Sequence, residues 1–76
     1  MNQEEKPFII RAYDKAELAE LYSPGRNAAA ALQTLYRWIQ GNTPLKEELQ
    51  EAGYNKFRHS FLKQEVALIV KHLGEP

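Results

Sequence analysis

The segment ELYSPGRNAAA, residues 20–30, sets the tightest limit on what this chain can become. Ser23-Pro24-Gly25 halts one apolar-periodic stretch, because proline disfavours the α conformation in the residue before it and Pro-Gly suits a type II turn. Asn27 then caps a second stretch that opens on four alanines, all strong helix formers. A chain broken in this way folds as short helices meeting at a tight turn. Its 76 residues allow one domain with a modest core. It has no cysteine, so neither a disulfide nor a thiolate metal site can brace that core.

Hydrophobic periodicity supplies the rest of the expected architecture. Residues 1–7 read as a flexible tail and 8–76 as a single helix-turn-helix-like domain. Phe8–Tyr13 is β-prone and short, a strand or an extended arm. Asp14 with Glu17 forms a capping box for the first helix, and Tyr13 with Leu18 a hydrophobic staple. Its apolar face is Leu18, Leu21 and Tyr22. The second helix is expected from about Ala28 to Gln40, with Gly41 as a left-handed stop. At about 100° per residue, Ala28, Ala31, Leu32, Leu35, Trp38 and Ile39 turn inward, and Arg26, Ala30, Gln33, Arg37 and Gln40 outward. Thr43-Pro44 opens a short third helix that contributes Leu45 and Leu49 and ends at Gly53. Residues 54–60, YNKFRHS, suit a loop, a small β-wing or an early turn of the last helix. That helix, about Leu62 to Leu73, has Leu62, Val66, Ile69, Val70 and Leu73 on its core side. Phe61, Gln64, Leu68 and Lys71 lie opposite, with His72 near the edge. The expected fold is a mainly α, compact four-helix domain with an N-terminal extended segment and a small β-wing. Its centre is Leu18, Leu21, Leu32, Leu35, Trp38, Ile39, Leu49, Val66, Ile69 and Leu73.

These pieces resemble a known family. PFIIRAYDKAELAELYSPG, then LYRWI, GY and a closing F-x-x-x-x-V-x-x-I-V-x-x-LGEP are similar to a family of short bacterial proteins catalogued as a domain of unknown function, number 4248. The resemblance covers about Phe8 to Pro76 and implies no activity. The family's second helix is usually more basic than AAAALQTLYRWI, where Arg37 is the one charge. More loosely, the order ELAELY, SPGRN, a helix ending RWI, GYNKFRHSF and QEVALIVKHL resembles the winged helix-turn-helix heads of excisionases and MerR-type regulators.

Function is constrained mainly by charge placement. The formal net charge is zero, so no bulk attraction to polyanions follows. Yet no acid lies between Glu20 and Glu47, where Arg26, Arg37 and Lys46 stand. None lies between Glu51 and Glu65, where Lys56, Arg58, His59 and Lys63 stand. A neutral chain can therefore carry one basic face. Nothing marks an enzyme: His59 and Ser60 are adjacent, but adjacency does not align a nucleophile with a base. No phosphate loop, metal-ligand spacing or cofactor motif occurs, and no small-molecule substrate is evident. The opening MNQEEKPFIIRAY fits neither a signal peptide nor a membrane span, which suits a cytoplasmic protein.

Two function classes remain. As a DNA-binding regulatory or mobile-element-associated protein, the chain would place Arg26, Asn27, Gln33 and Arg37 against bases or phosphates, with Lys56 and Arg58 clamping the backbone. As a protein-interaction or homodimer module, it would use an apolar seam of Phe61, Leu68 and His72.

Overall fold

The computed structural model describes residues 7–76. The expected tail at 1–7 lies outside them except for Pro7. Four helices follow one another: α1 (Lys15–Tyr22), α2 (Ala28–Gln40), α3 (Thr43–Glu51) and α4 (Lys63–Leu73). Two short strands complete the set, β1 (Tyr13–Asp14) and β2 (Ser60–Phe61). They pair antiparallel, Tyr13 opposite Phe61 and Asp14 opposite Ser60. The β structure is therefore not a hairpin within 54–60. It ties the start of the chain to the segment just before α4, and the strand expected over Phe8–Tyr13 shrinks to its last residue plus Asp14.

The turn between α1 and α2 follows the Pro-Gly expectation. Gly25 takes φ +88°, and the Arg26 N–H reaches the Ser23 carbonyl at 3.4 Å. Asn27 caps α2, its Oδ1 accepting from the Ala30 N–H at 2.8 Å. Gly41 stays right-handed at φ −82°, so it is not the left-handed stop expected there. That conformation falls instead on Gly53, where α3 ends with Tyr54 N–H on the Leu49 carbonyl and Gly53 N–H on the Gln50 carbonyl. This closure launches residues 54–59 away from α3.

The capping box expected at Asp14 does not form. Asp14 is the N-cap of α1, but its side chain makes no cap bond. Glu17 is drawn outward to Arg11 at 3.2 Å. The Lys15 N–H, an orphan donor at the helix start, is satisfied by the His59 carbonyl at 2.9 Å. Reach-back by an acid occurs at α4 instead, where Glu65 Oε1 accepts from the Leu62 N–H at 2.8 Å.

The core joins all four helices through Leu18, Ala19, Ala31, Leu35, Ile39, Leu45, Leu49, Val66 and Ile69, with Tyr13 and Phe61 from the strand pair. Ala19 and Ala31, both fully buried, are small enough to let α1 and α2 approach closely. Leu21 and Trp38 do not belong to this core, being 45% and 42% exposed. Trp38 sits on the flank of α2, its ring edge-on to Tyr22 with centroids 6.1 Å apart. Leu32 and Leu73 are half-buried at the margin.

The C-terminal Gly74-Glu75-Pro76 closes over α1, with the Tyr22 hydroxyl donating to the Gly74 carbonyl. Burial, then the nearby Glu75 carboxylate, pushes the Tyr22 phenol up to about 12. The neutral phenol is the form the fold favours. Tyr22 therefore contributes stability below its unfolded pKa of 10.0, and that contribution is lost as pH rises through about 12. Alkaline titration followed by tyrosinate absorbance should show a late component that Tyr22→Phe removes. Survival of that component in the variant would place the late tyrosine elsewhere.

Candidate nucleic-acid interface

The outer side of α2 is as polar as its periodicity predicts. Arg26, Asn27, Gln33, Arg37 and Gln40 are all exposed along it. Asn27 is partly committed, because its carbonyl oxygen caps the helix. Thr34, by contrast, turns inward and returns its hydroxyl to the Ala30 carbonyl at 3.1 Å.

Beside this face lies the 54–59 loop, held by three anchors. Lys15 is the first. It is buried, yet among the described residues no carboxylate lies within salt-bridge distance of its ammonium. It donates to the Asn55 and Lys56 carbonyls, each at 3.3 Å, and lies 4.6 Å from the Tyr54 ring centroid and 5.5 Å from that of Phe61. Burial lowers its pKa below the usual lysine range, with the neighbouring Tyr36 and Glu65 opposing and Arg58 reinforcing. The second anchor is local: the Asn55 side chain accepts from the Phe57 N–H at 2.8 Å, an Asx turn. The third is Arg58. Its Nη2 grips both oxygens of Glu65, at 2.6 Å to Oε1, and its Nε donates to the Ser60 carbonyl.

That third anchor revises the phosphate clamp expected from the sequence. Arg58 is occupied by a fully buried carboxylate and holds the loop, whereas Lys56 remains exposed. The loop tip shows Phe57 at 80% exposure, with the Lys56 ammonium 5.4 Å from its ring centroid. Tyr36 of α2 faces the same space, and burial pushes the Tyr36 and Tyr54 phenols above the usual tyrosine range. Sequence reasoning passed over Lys15, Tyr36, Tyr54 and Phe57. The available signal was Lys56-Phe57 itself, a large apolar side chain in a polar, period-free stretch.

The seam expected for a protein partner does not exist as drawn. Phe61 is fully buried, because β2 turns it inward against Tyr54, with ring centroids 6.0 Å apart. Leu68 is half-buried against the core. His72 is also half-buried, with Nε2 3.3 Å from Glu48 Oε1, and Lys71 reaches the same carboxylate. Those contacts, His72 first and then Lys71, lower the Glu48 pKa and join α3 to α4. Among the described residues, no group of histidine and acidic side chains is placed to hold a metal ion, and no helix is long and apolar enough to cross a membrane.

A family model described as "Domain of unknown function (DUF4248)" matches residues 9–76. The chain belongs to that family. The match takes in β1, all four helices and the anchored loop, so Lys15, Arg58 and Glu65 all fall within the DUF4248 span. No curated protein and no solved structure shows significant similarity to the chain.

Proposed function

We propose that this DUF4248 chain is a DNA-binding module of helix-turn-helix type, a regulatory or mobile-element-associated protein that performs no catalysis. One observation carries the reading: α2 exposes Gln33 and Arg37 along one acid-free side, with Arg26 exposed in the short turn from α1 that leads into it. Arg and Gln on such a face can pair with guanine and adenine edges in the major groove. Lys56 then supplies a backbone contact, while Arg58 positions the loop that carries it. The arginine-glutamine pattern does not require net positive charge, but with a net charge of zero, binding should be weak and steeply salt-dependent.

The test is a titration against random duplex at several salt concentrations. Wild-type protein should bind at about 50 mM salt in the micromolar-to-submillimolar range of non-specific complexes. Arg37→Glu should abolish that binding. Lys56→Ala should flatten the log–log salt slope by about one unit, whatever the sequence. No detectable complex at low salt would overturn the DNA reading. A protein-contact role would then lead, resting on the exposed Trp38 and Leu21 rather than on Phe61, Leu68 and His72.

A further inference from the structure

We infer that the cleft between α2 and the 54–59 loop receives an unpaired nucleobase of a single-stranded segment, stacked on Phe57 with Lys56 on the adjoining phosphate. The inference rests on the nucleic-acid reading of this face and goes further, since duplex bases on the outer side of α2 would not enter the cleft.

Three observations converge. The first is Phe57 itself. A phenylalanine at 80% exposure is not held there by packing, and the loop beneath it is rigidly defined by Lys15, Asn55 and Arg58. The fold thus presents an aromatic face outward from a fixed platform. The second is space. A cleft of about 520 Å³ and an adjoining one of about 410 Å³ lie at the loop tip. Tyr36, Lys56 and Phe57 line both. Clefts of about 300–1,000 Å³ take ligands of nucleotide size. The third is charge. Lys15 backs the larger cleft with its ammonium on the Asn55 and Lys56 carbonyls, while the exposed Lys56 stands at the rim of both. Asp14 is the acid among the lining residues of that larger cleft.

An aromatic platform beside the exposed Lys56 ammonium matches the way single strands are held: bases stack on rings and phosphates meet lysines. A protein or peptide partner would find less to use here, because the apolar surface is narrow and interrupted by ammonium groups. An aromatic wedge driven into paired DNA would use the ring of Phe57 but not the cleft behind it.

The experiment uses the full chain and follows anisotropy of a labelled mixed-sequence single strand, the duplex formed with its complement, and deoxyadenosine monophosphate as competitor. Wild type, Phe57→Ala, Phe57→Trp and Arg37→Glu are compared at one low salt concentration. Phe57→Ala should weaken strand binding by roughly five- to a hundred-fold, the loss of one stacked base, and leave duplex binding unchanged. Phe57→Trp should restore it. The inference is overturned if Phe57→Ala alters neither ligand, if it weakens duplex and strand alike, or if the mononucleotide competes as tightly as the strand binds. Strand binding without duplex binding would overturn the α2 reading and keep this one. Duplex binding that is lost in Arg37→Glu, with no strand binding by wild type, would do the reverse.

Discussion

Arg58→Leu should cost about 3–5 kcal/mol and leave the chain close to its unfolding threshold at room temperature. Glu65 is fully buried, and Arg58 is the cation that meets it. Deleting that cation strands a carboxylate in the core, where a lost partner is far more expensive than a lost surface ion pair. The total stability of a domain this size is only about 4–11 kcal/mol, at roughly 0.05–0.15 per residue. Chemical denaturation with an unchanged slope and a much lower midpoint is the expected record. Arg58→Leu combined with Glu65→Met should recover much of the loss, since it removes the buried charge as well as its partner. Recovery should be incomplete, because Glu65 also accepts from the Leu62 N–H at the start of α4. A single variant that loses less than about 1 kcal/mol would mean that Glu65 finds another partner or water.

This pair shows where sequence reading stopped. Glu65 in KQEVALIVKHL has the spacing of an ordinary first-turn acid, and Arg58 in YNKFRHS that of a surface cation. Their meeting depends on the loop path, which is set by the positive φ of Gly53 and by β2 pairing with β1. Neither constraint is local. The helices were legible because their signals are local: the proline and glycine stops, the Asn27 cap and the apolar stripes fall on the observed boundaries of α2 and α3 to within a few residues, although the cap of α3 is Asn42 rather than Thr43. Lys15 escaped notice for the same reason that Arg58 is expected as a clamp. Charge alone says nothing about which backbone carbonyls lie within reach. Leu21 and Trp38 failed differently. The buried face of α1 is formed by Lys15, Leu18, Ala19 and the partly buried Tyr22, and at about 100° per residue Leu21 falls off its side. Trp38 is one step around α2 from the buried Leu35 and Ile39, close enough to the stripe for periodicity to include it.

The candidate interface divides along the same line. Gln33 and Arg37 could be placed from a helical wheel, because exposure on α2 follows from which residues its stripe buries, and Arg26 from its place in the turn just before. The Tyr36–Phe57 cleft could not, since it is formed by two segments that approach only after Lys15 has drawn the 55–56 carbonyls onto α1.

Phe61→Ala should be comparably severe, at about 3–5 kcal/mol. The periodicity of the last helix sets Phe61 opposite the core stripe, and an aromatic on such an outer face would be removed at a cost of no more than about 0.5 kcal/mol. The structure puts it at 0% exposure, ahead of the helix rather than on it. In β2 its side chain turns inward while its backbone pairs with Tyr13. Tyr54 stacks over the ring and the Lys15 ammonium lies 5.5 Å from its centroid. Truncation therefore opens a cavity where the strand pair, the Gly53 exit and the Lys15 anchor converge. The neighbours belong to different segments and are tied by separate hydrogen bonds, so little collapse into the space is expected. The loss should appear in the denaturation midpoint together with a weaker tertiary circular-dichroism signal from the tyrosines. Phe61→Leu, which keeps most of the apolar volume, should cost less than half as much. An alanine variant as stable as wild type would return Phe61 to the surface and undo the β1–β2 pairing that anchors the loop.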